Sequence, residues 1–224
     1  MKSTELGILF IDITKTAGTA IKESFERRFP NYTFEGKHHS IRNFLSYGSP
    51  VLDDFGMPHE GTCSPVTTQE LLNYHTFSVI RNPYDRMVSL WLWGRGNEYN
   101  ENFNEFVASV AHGKYTDFNR VRYRSQVEWI SDFEGNVRVK QLLAFENLAH
   151  DFNKFLSHIG IEPFPLLDRN SAYLNSNMER MPFESYYTSE TTRQTVESIW
   201  ADDFEMFNYK KFRSTRYNSI PEDA

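Results

Sequence analysis

The sequence predicts an α/β fold: a three-layer, doubly wound unit with a mainly parallel central sheet flanked by helices. Three segments carry this expectation, because each joins an apolar run to an amphipathic stretch through a short polar turn. They are Gly7 to Phe29, Phe77 to Trp91 and Val137 to Ile159. At 224 residues the chain suits a single domain with a sizeable core, expected over residues 1–213 with a polar tail over 214–224.

The elements follow in order. Six of the seven residues from Gly7 to Ile13 suit a buried strand, and Ile21, Phe25 and Phe29 then recur every four positions, as on an amphipathic helix. Tyr32 to Phe34 reads as a short strand, and Ser40 as the cap of a helix over Ile41 to Tyr47. From Gly48 to Ser64, prolines and glycines without periodicity predict a surface loop placed to act as a lid over an acceptor. Thr67 and Glu70 form a capping-box pattern for a short helix ahead of the Phe77 to Ile80 strand. Pro83 suits the first position of the next helix, where its missing N–H would have no intrahelical partner. Asn102 to Ala111, with Glu105 near its start and Gly113 beyond its end, predicts another helix. Val137 to Leu143 is the third strand. Asn147 to Ile159, with Glu146 capping it, and Ser189 to Met206 complete the set of helices.

The first strand-turn-helix carries chemistry. The turn Lys15-Thr16-Ala17-Gly18-Thr19-Ala20 sits at a helix N-terminus, where unpartnered amides and the positive end of the helix dipole hold an anion. Gly18 lets a phosphate approach the backbone, the Thr16 and Thr19 hydroxyls offer donors, and Lys15 brings a mobile positive charge. A triphosphate-binding P-loop would place lysine directly after its second glycine. Here Lys15 precedes Gly18, and no glycine opens the loop, so ATP-magnesium chemistry is disfavoured. The second motif runs from Arg81 at a strand end into the helix bearing Arg86 and Ser89, which share a face. In open α/β sheets ligands collect at strand carboxyl ends. Lys15 and Arg81 with Ser89 thus predict two anion sites at one sheet edge, as a ligand with two separated phosphates requires.

Together, Lys15-Thr16-Ala17-Gly18-Thr19 and Arg81-Asn82-Pro83-Tyr84-Asp85-Arg86-Met87-Val88-Ser89 resemble the two nucleotide motifs of sulfotransferases that use 3′-phosphoadenosine 5′-phosphosulfate (PAPS). The likeness is greatest to the carbohydrate 2-O-sulfotransferase-like branch and its bacterial relatives, whose P-loop-like fold it implies. Lys37-His38-His39-Ser40-Ile41-Arg42 is similar to a family segment with a histidine ahead of a helix, and Arg122 to Trp129 to an R-x-x-Q-x-x-[WY] segment. Leu143 to Leu148 and Asp203 to Tyr209 resemble two later family stretches, so the likeness covers roughly residues 6–210.

The resemblance implies that residues 15–20 hold the 5′-phosphosulfate and that Arg81 and Ser89 hold the 3′-phosphate. Asn170 and Ser171 stand where relatives have a polar turn on the nucleotide, although the basic residue here, Arg169, precedes them. Arg122, Arg124 and Gln126 are assigned to the acceptor. Lys15 would assist the leaving phosphate, and His38 or His39 would be the base, histidine being the side chain that titrates nearest neutrality. The implied reaction moves a sulfuryl group from PAPS to a hydroxyl on a carbohydrate or glycosylated metabolite. It releases adenosine 3′,5′-bisphosphate (PAP) and needs no metal. A P-loop nucleotide kinase and a non-catalytic nucleotide-binding protein are the alternatives.

Composition bounds the partners. A net charge of −6 argues against general nucleic-acid binding and leaves only local basic clusters to meet a polyanionic acceptor. The single cysteine, Cys63, excludes an internal disulfide. No run approaches the roughly 18 apolar residues of a membrane span. With no leader-like pattern after Met1, a cytoplasmic enzyme is expected. Composition does not speak to oligomeric state.

Overall fold

The computed structural model describes residues 1–36, 38–45, 64–95, 101–114, 120–167 and 181–212. The chain divides into two compact units, Met1–Asn82 with Tyr115–Asn170, and Pro83–Lys114 with Ser171–Ala224.

The first unit holds the sheet. Strands β1 (Lys2–Ser3), β2 (Ile8–Ile11), β3 (His75–Ile80) and β4 (Gln141–Ala144) lie in that order. The β2–β3 and β3–β4 pairs are parallel, with Phe10 beside Phe77 and Val79 beside Leu143, and only β1 runs antiparallel. This is the mainly parallel α/β sheet that the sequence predicts. Helix α1 (Gly18–Arg28) follows β2. Two short helices, α2 (Ile41–Leu45) and α3 (Thr68–Leu71), precede β3. Later in the same unit come α6 (Gln126–Ile130) and α7 (Leu148–His158). The alternation along β2 sends Ile8 and Phe10 into a core with Ile21 and Phe25 of α1, Phe77 and Val79 of β3, and Phe152, Phe155 and Leu156 of α7. The ring of Phe77 lies 4.8 Å from Phe10 and 4.2 Å from Phe155, so the phenylalanine surplus packs this core. Each such buried side chain contributes about 1.5–3 kcal/mol.

The second unit contains α4 (Pro83–Arg95), α5 (Phe103–Ala111), α8 (Glu190–Ile199) and α9 (Ala201–Met206). Its core is centred on Tyr84, whose ring lies 4.9 Å from Phe204 and 5.1 Å from Tyr187. The Tyr84 hydroxyl donates to Glu197, and burial together with this carboxylate pushes its pKa upward. Arg86 is fully buried, 3.9 Å from the Asp203 carboxylate and over the Trp200 ring at 4.5 Å. This arginine of the second motif is therefore part of a core. No described helix is long and apolar enough to cross a membrane.

The local start signals hold. Thr67 with Glu70 and Asn102 with Glu105 form reciprocal capping boxes, and Ser40 pairs with Asn43 at the start of α2. Four expectations are corrected. Tyr32 to Phe34 is not a strand, and the neighbouring Glu35 makes a single bridge to Lys2. The third strand is confined to Gln141–Ala144, because Val137 bridges Ser131 and Arg138 bonds back to Ile130. The predicted helix over Ser189 to Met206 breaks at the fully buried Trp200, which leaves the helical region at φ −121°. Its carbonyl then accepts from the Asp203 and Phe204 amides as α9 begins. Glu146 does not cap α7 but accepts from the Asn82 amide at 2.6 Å. Residues 46–47, most of the predicted loop over 48–64 and the tail over 214–224 lie outside the described residues.

The turn after α6 carries a pH-dependent term. The Oδ1 of Asp132 accepts from the amides of Glu134 and Asn136, and its Oδ2 from Arg138 Nε at 2.5 Å. Burial alone would raise this carboxyl, but the hydrogen bonds from Asn136 and Arg138 outweigh it and hold the pKa at about 2. Unfolded aspartate titrates near about 3.9, so this stabilisation is complete above about pH 4 and is lost as pH falls through about 2. Asp132→Asn is expected to flatten the stability curve across that window in urea melts at graded pH. The same turn supports α2, since Arg42 Nε donates to the Asp132 carbonyl at 3.0 Å.

Candidate active site

The carboxyl ends of β2 and β3 bring the first motif and Arg81 together within the first unit. Beyond Ile11 the chain forms a tight turn in which both Lys15 (φ 67°) and Ala17 (φ 71°) adopt left-handed backbone, uncommon for residues with a Cβ. The Thr16 hydroxyl donates to the Ile13 carbonyl at 2.8 Å, so it closes the turn in place of the phosphate contact expected of it. Thr16, Gly18 and Ala20 are buried, whereas Lys15, Ala17 and Thr19 are half-buried and form the open side. Ala17 precedes α1 without capping it through a side chain. The helix dipole and the first-turn amides therefore meet no hydroxyl or carboxylate cap from that residue.

Arg81 is 3% exposed and braces this turn. Its Nη1 donates to the Lys15 carbonyl at 2.9 Å, and its guanidinium carbon lies 3.9 Å from the Phe145 ring centre. Gln126 clasps the Arg81 backbone from both sides, its Oε1 accepting from the Arg81 amide and its Nε2 donating to the Arg81 carbonyl, each at 2.8 Å. Gln126 is fully buried, so its amide positions Arg81 and does not form the acceptor wall expected from sequence. Arg122 is also buried, and its carbonyl accepts from the Thr14 hydroxyl, while Arg124 is half-buried. Ser89 lies buried on α4 in the second unit. Asn170 and Ser171 lie outside the described residues, as does Lys37.

The two histidines separate. His39 is 1% exposed, with its ring 5.6 Å from Phe44 in an edge-on contact. His38 is half-buried, takes a left-handed backbone (φ 54°), and places Nδ1 3.2 Å from Asp12 Oδ2. The same Nδ1 lies 3.2 Å from the Asp12 carbonyl oxygen. His75 is exposed at the start of β3.

Asp12 is the site residue that sequence reasoning missed. It follows β2 directly and is 2% exposed, and its other carboxylate oxygen packs against Gly18. A Cβ at position 18 would stand 1.5 Å from Asp12 Oδ1. The glycine is thus demanded by the aspartate behind it, a tighter constraint than the phosphate approach inferred from sequence. One turn consequently holds a lysine, an arginine-braced backbone and an aspartate-histidine pair.

A family model described as Sulfotransferase family matches residues 1–210 of the chain. Comparison with curated proteins and with solved structures gives no match.

Proposed function

Because the chain belongs to the sulfotransferase family, we propose that it uses PAPS to sulfate a hydroxyl on a carbohydrate or glycosylated metabolite. The observation that carries this is the Lys15 turn itself, a helix N-terminus with a half-buried lysine whose carbonyl is gripped by Arg81. PAPS supplies the sulfuryl group and a phosphate leaving group, so that the acceptor oxygen–sulfur bond forms as the sulfur–oxygen bond to phosphate breaks. Residues 15–20 bind the 5′-phosphosulfate through backbone amides and the Lys15 ammonium, which stabilises charge growing on the departing oxygen. Arg81, with Ser89 by resemblance, takes the 3′-phosphate.

His38 accepts the acceptor's proton. It is preferred to His39 because it is the more accessible of the two and has a carboxylate on its Nδ1. That contact leaves Nε2 to act as the base. Asn170 and Ser171 are retained as further nucleotide contacts, and Arg124 as an acceptor contact, on the resemblance alone.

Transfer of labelled sulfate from PAPS to a panel of glycans and small alcohols tests the assignment; labelled hydroxyl product is expected. Arg81→Ala is expected to weaken PAP binding by about 10–100-fold, as loss of a buried charge-assisted contact does. Isothermal titration would check this, and unchanged affinity would remove the 3′-phosphate role.

A further inference from the structure

We propose that Asp12 is the positioning residue of this site, fixing His38 with a proton on Nδ1 and its Nε2 turned to the acceptor. The proposal rests on His38 being the base proposed above. Three observations support it. Asp12 Oδ2 and the Asp12 carbonyl both lie 3.2 Å from His38 Nδ1, so this nitrogen faces two acceptors. A neutral imidazole has one N–H, and two acceptors at Nδ1 select the tautomer that carries the proton there. Nε2 then keeps its lone pair, as a base requires.

The second observation is burial. Asp12 is 2% exposed, and its Oδ1 has no hydrogen-bond partner although it is enclosed. An enclosed carboxylate gains from a neighbouring group that can carry positive charge, and the His38 ring lies against it. The third is backbone strain. Of the four described residues other than glycine with positive φ, Lys15, Ala17 and His38 belong to this site. Left-handed backbone at a β-carbon residue persists where surrounding contacts enforce it, and such residues cluster at functional sites. Here Asp12 touches both segments, at Gly18 beyond the Lys15 turn and at His38.

Asp12 is the carboxylate that lies against the His38 ring. Asp12→Asn preserves the packing against Gly18 and removes only the charge.

The test is the tautomeric state of the histidine rings by ¹⁵N NMR on the PAP-bound full chain, with the His38 signal assigned by its loss in His38→Gln. In the unaltered protein the neutral His38 ring is expected to show the Nδ1–H tautomer. In Asp12→Asn the tautomers should mix. With an acceptor from the sulfate-transfer panel, kcat should fall about 10–100-fold while KM for PAPS should not rise.

An unchanged tautomer in a folded, PAP-binding Asp12→Asn protein would overturn the role of Asp12 while leaving His38 as base. Near-normal turnover in His38→Gln would overturn the base assignment and this proposal with it. If Asp12→Asn does not fold, the tautomer in the unaltered protein decides, and an Nε2–H imidazole would overturn the proposal.

Discussion

Lys15→Ala is expected to lower kcat by about 10²–10³-fold, the range that follows removal of one group aimed at developing transition-state charge. Affinity for PAP should change far less. The backbone that shapes the turn does not depend on the lysine side chain: it is closed by the Thr16 hydroxyl on Ile13 and gripped by Arg81 at the Lys15 carbonyl, a group that alanine retains. In the proposed role the ammonium acts when the sulfur–oxygen bond breaks and charge gathers on the leaving oxygen. A ground-state phosphate already has the helix N-terminus. Single-turnover rates with titrated PAPS separate these effects. A proportionate rise in KM with kcat intact would place Lys15 in binding alone. One cost of the variant is local, because the left-handed conformation at position 15 is unfavourable for alanine as well.

His38→Gln is expected to lower turnover by about 10²–10⁴-fold, the usual contribution of a positioned general base. Glutamine keeps a polar side chain near Asp12 but cannot accept a proton at neutral pH. PAP binding should be unaffected, since His38 is not among the proposed nucleotide contacts at residues 15–20, Arg81, Ser89, Asn170 and Ser171. His39→Gln provides the contrast. Its ring is buried against Phe44, so the variant should lose thermal stability while the surviving folded fraction turns over normally. Equal loss of specific activity from both variants would contradict the division of roles.

The parts of the fold legible in the sequence are those governed by neighbours along the chain. Capping boxes at Thr67 and Asn102, the proline start of α4 and the apolar run of β2 each depend on groups within about one helical turn. Boundaries that failed were set by distant partners. Val137 has the composition of a strand residue but pairs with Ser131 across a turn organised by Asp132. Trp200 suits a helix by pattern, yet its burial in the second unit interrupts one.

The site shows the same division. The Lys15 turn is local, and Lys15, Gly18 and Arg81 stand out from residue type and order. The reason for Gly18 does not, because Asp12 reads from sequence as the polar end of a strand. Its meaning depends on His38, 26 residues away, and on a contact behind the glycine. Gln126 carries the opposite lesson. A polar residue in a matching segment suggests substrate contact, but full burial and two backbone hydrogen bonds make it a clamp on Arg81.

Competitive calorimetric titration of the full chain with PAP and with ATP-magnesium tests the central claim most directly, because it needs no knowledge of the acceptor. PAP is expected to bind at least about tenfold more tightly, a preference of about 1.4 kcal/mol or more, reflecting a site built for separated 3′- and 5′-phosphates. Tighter binding of ATP-magnesium, with no heat on addition of PAP, would contradict a PAPS site at the Lys15 turn.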